Sequence, residues 1–165
     1  MFGNILEEIA ISVCANAKGG SKSSAEGIDL EYDNGAERTL IQVKSGPNWG
    51  NSSQRKKLVD NFNSARRRLG ASGLSVRCIE GICYGSRQEK HYGTHTALRG
   101  TAFWEDISDW TGTHLAIGGR LGIHARNGLN EPKDQARDKM VDFLRQHGAA
   151  KENKINWNGM FDLLF

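Results

Sequence analysis

Cysteine is scarce in this 165-residue chain, and what there is has no pattern: Cys14, Cys78 and Cys83 make an odd count without framework spacing. That argues against a disulfide-stapled secreted domain and for a reduced, cytoplasmic protein. Long apolar runs are missing too. None approaches the ~20 residues that a membrane span requires. The first residues, MFGNILEEIA, lack a basic start followed by an apolar block, so no secretory signal is expected. Internal repeats, long linkers and a second domain are likewise not visible, and the length suits a single domain spanning residues 1–165. Hydrophobic residues make up 38% of the chain, enough to form its core. The formal charge of +3 excludes little by itself. Its distribution is more informative, because residues 54–69 hold six basic side chains and one acid. Such a helix is either the footprint of a nucleic-acid binder or simply a solvated face.

The pattern of apolar residues predicts the order helix, hairpin, helix, strand, then helices. Residues 4–17 read as a helix, with Asn4 and Glu7 as a capping box and Ile5, Leu6, Ile9 and Val13 as its buried stripe. A loop over 45–54 precedes a helix over 54–69, whose Leu58, Phe62, Ala65 and Leu69 recur at helical spacing. Residues 74–85 read as a mostly buried strand and 86–100 as a polar excursion. A short helix over 101–110 turns Phe103 and Ile107 inward. Residues 112–130 are broken by glycine and carry no assignment. Pro132 begins a helix to about Gln146, with Ala136, Met140, Phe143 and Leu144 on its core face. The apolar end, INWNGMFDLLF, completes the core or meets a partner. The whole is an α/β sandwich with a small mixed sheet.

Chemistry concentrates in residues 27–46. Asn34-Gly35 is a strong signal for a two-residue type I′ hairpin. Closed there, Asp29 falls opposite Leu40. Because side chains on a strand alternate faces, Asp29, Glu31, Gln42 and Lys44 then share one face of the ribbon. Ile28, Leu30, Ile41 and Val43 point the other way, into a core. A carboxylate, a carboxamide and an ammonium on one surface can hold a divalent metal and orient a water, as metal-assisted phosphodiester hydrolysis requires.

Asp29 followed by Gln42-x-Lys44 on adjoining strands resembles the PD-(D/E)XK nuclease superfamily. More specific are FGNILEEIA, SSAEGIDLEY, VKSGPNWGNSSQ, DNF, GICYG and GTAFWEDIS, which occur here in that order. Together they resemble the PmeII-type group of type II restriction endonucleases, over most of the chain. The resemblance implies a restriction-endonuclease-like sandwich that cleaves double-stranded DNA with Mg²⁺. It implies Asp29, Gln42, the carbonyl of Val43 and Glu7 as metal ligands, and Lys44 as the residue that orients or helps deprotonate the attacking water. Gln42 stands where many relatives carry an acid, so the second carboxylate is expected from Glu7, Glu8 or Glu31. Ser45, Asn48, Trp49, Asn51, Ser52, Gln54, Arg55 and Lys56 follow the catalytic strand and are placed to reach DNA. A homodimer cutting both strands is implied, with a cognate methyltransferase in the same system and no membrane partner. Related enzymes carry residues ahead of the FGN motif, so an N-terminal extension is expected to be lacking here.

Two other functions use the same residues: a non-catalytic DNA-binding domain in which Gln42 marks a decayed site, and a repair or junction-resolving nuclease. A rival constellation, Cys78, Cys83, His91 and His95, has poor spacing for zinc. Positions 78 and 83 face opposite sides of a regular strand, so buried thiols are the expectation. Phe103 and Trp104 are expected in the core, and Trp49 either anchors its loop or contacts DNA.

Overall fold

Helical and extended segments alternate from the N-terminus, and the connections between them decide how the strands pair. The computed structural model describes residues 2–70, 73–119, 141–151 and 154–164. They fall into two compact units, Met1–Trp110 and Thr111–Phe165. The first contains α1 (Phe2–Lys18), β1 (Ser21–Lys22), β2 (Leu30–Asn34), β3 (Glu37–Lys44), α2 (Ser52–Gly70), β4 (Ser75–Ile82), β5 (Gln88–His91), β6 (Thr96–Arg99) and α3 (Thr101–Ser108). Its six strands form one mixed sheet in the order β1-β2-β3-β4-β6-β5. The short turn between β2 and β3 makes them antiparallel, whereas the α2 crossover makes β3 and β4 parallel. With helices against the sheet, this is the restriction-endonuclease-like α/β sandwich that the sequence leads one to expect.

The hairpin closes one residue later than Asn34-Gly35 predicts. Asn34 pairs with Glu37, leaving Gly35 and Ala36 as the turn. Gly35 alone is left-handed, with φ 64°, and a glycine at the first turn position marks type II′ rather than type I′. Leu30 lies opposite Ile41 and Glu31 opposite Leu40, so the expected pairing of Asp29 with Leu40 is not made; Asp29 stands just before the regular ladder, its N–H on the same Ile41 carbonyl. The offset between the two registers is two residues. A shift of one would reverse the faces, but a shift of two preserves them. Glu31, Gln42 and Lys44 therefore remain on one side.

Both sides of the sheet are covered. Helices α1 and α3 pack together on one side, where Leu30, Ile41, Phe103, Trp104 and Ile107 are all almost fully buried. Phe103 lies so close to Gly81 of β4 that a Cβ there would overlap its ring. On the other side α2 lays Leu58, Phe62 and Ala65 over Leu40, Cys78 and Ile28. Ile28 thus joins the α2 side, not the side of Leu30, because regular pairing in β2 begins only at Leu30. The α1 expectations need two corrections. The helix already runs at Phe2, so Asn4 lies inside it and caps nothing; and the buried stripe is Leu6, Ala10 and Cys14, while Ile5 is 40% exposed.

The polar excursion hides a second hairpin, β5–β6. All of β5 is exposed and charged or polar, which keeps this sheet edge from pairing with another chain. In the second unit, helices over 113–119 (α4) and 141–146 (α5) precede β7 (Ala150–Lys151), β8 (Lys154–Ile155) and α6 (Trp157–Leu164). Leu144 is buried as expected but Phe143 is 53% exposed. Ala136 and Met140 lie outside the described residues. Helix α6 buries Phe161 and leaves Leu163 and Leu164 outward. Among the described residues no helix is long and apolar enough to cross a membrane.

Gly81→Ala should force Phe103 or β4 to shift and cost about 1–3 kcal/mol of stability, the usual cost of overpacking. Urea denaturation measures this, and an unchanged midpoint would contradict the close approach of α3 to the sheet.

Candidate active site

The α2 helix covers only part of its side of the sheet. Beyond Leu40 and Cys78 the next paired row is Gln42 with Glu80, and the row after that is Lys44 with Ile82. Polar side chains therefore begin where the apolar cover ends. Asp29 enters from the end of β2. Its backbone N–H donates to the Ile41 carbonyl at 2.9 Å, and its carboxylate accepts the Val43 N–H at 2.6 Å. Burial pushes the Asp29 carboxyl above its ordinary pKa. The Val43 hydrogen bond opposes that push, the Glu7 charge adds to it, and Lys44 and Lys22 oppose it.

Lys44 is held below the usual lysine range by burial, against the pull of Asp29, Glu80 and Glu7. Its ammonium lies 4.7 Å from the centroid of the Trp49 ring. The side-chain oxygen of Gln42 is buried and has no hydrogen-bond partner among the described residues. A buried acceptor without a donor is costly in an apolar site, and a cation would satisfy it.

The three candidates for a second carboxylate separate by position. Glu7 on α1 is half-buried, lies 3.7 Å from Lys22, and its charge acts on both Asp29 and Lys44. Glu8 is exposed. Glu31 accepts a hydrogen bond from Ser23 and sits 3.7 Å from Arg38, which is a partnered position on the sheet surface. Among the described residues no three His, Cys, Asp or Glu side chains converge on a point where they could hold a metal. A cation at Asp29 would draw on the Gln42 carboxamide, a backbone carbonyl and water. That donor set suits Mg²⁺, which commonly takes one or two carboxylates and keeps several waters. The zinc constellation is not assembled: Cys78 and Cys83 are free, buried thiols. Burial pushes the Cys83 thiol up to about 12, with the Asp29 charge adding to the effect.

The loop after β3 is ordered by its own side chains. Asn51 and Gln54 form a reciprocal capping box at the start of α2: each side-chain oxygen accepts the other's backbone N–H, at 3.0 and 2.9 Å. Trp49 turns its indole N–H to Glu80, at 2.6 Å, so it anchors the loop to the sheet. Asn48, Ser52, Arg55 and Lys56 are exposed and Ser45 is half-buried. Glu80 was not singled out from the sequence. The lone acid of the strand SVRCIEGI, in its buried second half and level with Gln42, is the signal that marks it.

A six-stranded mixed sheet between helices, with Asp29, Gln42 and Lys44 on its β2–β3 hairpin region, fits a restriction-endonuclease-like class. Residues 1–128 match the family model of the type II restriction endonuclease EcoO109I. The match spans most of the chain, and the chain belongs to that family. No curated protein matches it.

The raised Asp29 pKa fixes a sign. The folded state binds this proton more tightly than the unfolded state does. The stabilising contribution is complete below the ordinary carboxylate range and is lost as pH rises through the raised value. Asp29→Asn keeps an acceptor for Val43 and removes the buried charge. Without divalent cations the variant should melt above the wild type at pH 7.5, with the gain shrinking as pH falls below the carboxylate range. A variant less stable than the wild type at pH 7.5 would exclude burial as the dominant influence on Asp29.

Proposed function

We propose that this chain is a Mg²⁺-dependent type II restriction endonuclease of the PD-(D/E)XK superfamily, similar to the PmeII-type group, and that it hydrolyses phosphodiester bonds in double-stranded DNA. The observation that carries the reading is the buried Gln42 oxygen, without a hydrogen-bond partner among the described residues, on the hairpin that also carries Asp29 and Lys44. Asp29, Gln42, the Val43 carbonyl and Glu7 would hold the ion. When bound, Mg²⁺ supplies positive charge at the scissile phosphate, where negative charge develops. Asp29 is tied to the strand by the Val43 N–H, so its free oxygen is presented in a fixed direction. Lys44 orients the attacking water for in-line displacement. Its half-buried position keeps bulk solvent from screening its charge.

DNA contacts come from the loop and the first turns of α2. The capping box occupies the side-chain oxygens of Asn51 and Gln54, which leaves their NH₂ ends to face a phosphate. Arg55, Lys56, Ser52 and the α2 N-terminus add charge and donors there; Ser45 and Asn48 line the approach, and Trp49 anchors the loop that carries them. The protein acts as a homodimer, since a twofold pair of sites cuts both strands. Its two units serve one nuclease domain in the cytoplasm, beside a cognate methyltransferase.

The test is incubation with unmethylated phage DNA in Mg²⁺ and in EDTA. Discrete Mg²⁺-dependent fragments are expected, none with Asp29→Ala, and at least about 100-fold slower cleavage with Lys44→Ala. DNA binding without cleavage would establish the non-catalytic domain instead, and cleavage confined to branched DNA the junction-resolving enzyme. Binding should weaken steeply with salt, and Lys56→Ala should lower the slope of log affinity against log salt by about one. An unchanged slope would remove Lys56 from the interface.

A further inference from the structure

Glu80 is 4% exposed, the one charged side chain counted as buried among the described residues, and no step of the proposed chemistry uses it. Burying an unpaired carboxylate costs several kcal/mol, so such a group must be held by donors. Both oxygens are held. Trp49 Nε1–H donates to one at 2.6 Å, and His95 Nε2 lies 3.2 Å from the other. The two donors together outweigh burial and keep the Glu80 carboxyl below its ordinary pKa. An ionised carboxylate only accepts, so Nε2 of His95 carries the proton. Its Nδ1 lies 3.0 Å from Thr94 Oγ1, within hydrogen-bond reach.

His95 is itself fixed. Its ring is stacked on Tyr92, with centroids 5.1 Å apart, and leans on Phe62 of α2 at 5.5 Å. Arg66 of α2 donates to the Thr94 carbonyl at 2.8 Å. Glu80 is thus gripped from one side by the β5–β6 turn and the middle of α2. On its other side it grips one thing, the indole of Trp49. The Lys44 ammonium lies over that indole at 4.7 Å, and the Arg55 guanidinium at 5.2 Å. Arg55 also donates to the Trp49 carbonyl at 3.2 Å.

We infer that Glu80 and Trp49 are positioning residues for Lys44: Glu80 fixes the plane of the indole, and the indole fixes the ammonium. The inference rests on the reading of Lys44 as the water-orienting group. A lysine has a flexible four-carbon stem that its backbone does not direct. Lys44 is also the last residue of β3, where the ladder stops constraining the chain. An ion pair with Asp29 would draw the ammonium away from the water. The ring face attracts a cation without offering it a hydrogen bond, so it holds Lys44 while leaving its N–H groups directed elsewhere.

The test uses Trp49→Phe, Trp49→Leu and Glu80→Gln in the full chain. Phenylalanine retains a face for the cation, leucine does not, and glutamine retains an oxygen for the indole N–H. Trp49→Leu should lower kcat about tenfold at an unchanged KM for duplex DNA, while Trp49→Phe and Glu80→Gln stay within about threefold of wild type. A raised KM at unchanged kcat in Trp49→Leu would make the ring a DNA contact and overturn the inference. A second readout needs no activity: competitive acetylation of the folded protein, read lysine by lysine by mass spectrometry. Lys44 should label several times faster in Trp49→Leu than in wild type or Trp49→Phe, with the other lysines unchanged. Equal labelling of Lys44 in all variants overturns the inference whether or not the protein cuts DNA. The expected labelling in a protein that cuts nothing would support the coupling and sink the nuclease reading alone.

Discussion

The carboxylate of Asp29 on the backbone N–H of Val43 is the contact from which the rest of the site follows. A strand ladder would fill that donor with a carbonyl. Here a side chain fills it, at the point where β2 has not yet begun its regular pairing. Three consequences descend from that substitution. The charge is fixed against β3 and cannot swing out to solvent. Chain alternation fails just before it, which lets Ile28 drop onto α2 rather than onto α1. Gly27, at φ 70°, supplies the bend, and its bare α-carbon lies against the Asn61 side chain of α2, where any Cβ would collide. The hairpin therefore meets the helix through a glycine and an apolar anchor in successive residues, just ahead of the half-buried Asp29.

That arrangement is expensive unless something compensates a charge in a desolvated place. Two different solutions occur on either side of β3 in the same sheet. Glu80 is satisfied inside the protein, by an indole and an imidazole, and its carboxyl is kept ionised. Asp29 is under-satisfied: burial, with the Glu7 charge adding to it, outweighs the Val43 N–H and the charges of Lys44 and Lys22 and leaves its pKa raised. A carboxylate that the fold has finished satisfying belongs to the scaffold. One left wanting positive charge is arranged for something that arrives later. The contrast between the two acids, more than either alone, separates support from chemistry in this site.

Much of this was legible in the sequence because it depends on short-range rules. Alternation along β3 puts Gln42 and Lys44 on one face even with the turn placed one residue early, since a register shift of two does not change the face; Asp29 reaches the same strand from outside the regular ladder, through the Val43 N–H. Helical spacing found Leu58, Phe62 and Ala65. What stayed hidden depends on contacts distant in the chain. Glu80 is an acid in a mostly buried strand and acquires meaning only when the α2 crossover sets β4 beside β3. His95 belongs to a hairpin whose edge strand carries only polar residues, a composition that reads as a loop until β6 pairs with β4. Asn51 and Gln54 looked like DNA-reaching side chains because they are polar and follow the catalytic strand. Their three-residue spacing before an amphipathic run was an equally local signal, that of a capping box. At α1 the cap was placed wrongly for the opposite reason, since Asn4 and Glu7 have that spacing but lie inside a helix that had already started.

The neutral residue at position 42 follows from the same geometry. Gln42 and Glu80 are level on adjacent parallel strands and lie on one side of the sheet. Neighbouring strands stand about 4.8 Å apart. A glutamate at 42 would put a second carboxylate beside the buried one at Glu80, with Asp29 bound to the next residue, Val43, and Glu7 acting from α1. Like charges that close in a partly desolvated site cannot all ionise without a large cost, and one of them would hold its proton instead. The carboxamide avoids that conflict: it presents an oxygen of the same reach without adding a fourth negative charge. Lys44 benefits as well, because a stronger acid at 42, two residues before it on the same face, would compete with the Trp49 ring for its ammonium. Position 42 and position 80 are thus a coupled pair. The acid lies on β4, where Trp49 and His95 can hydrogen-bond it, and the amide lies on β3, where an oxygen with no partner among the described residues is what the proposed chemistry needs.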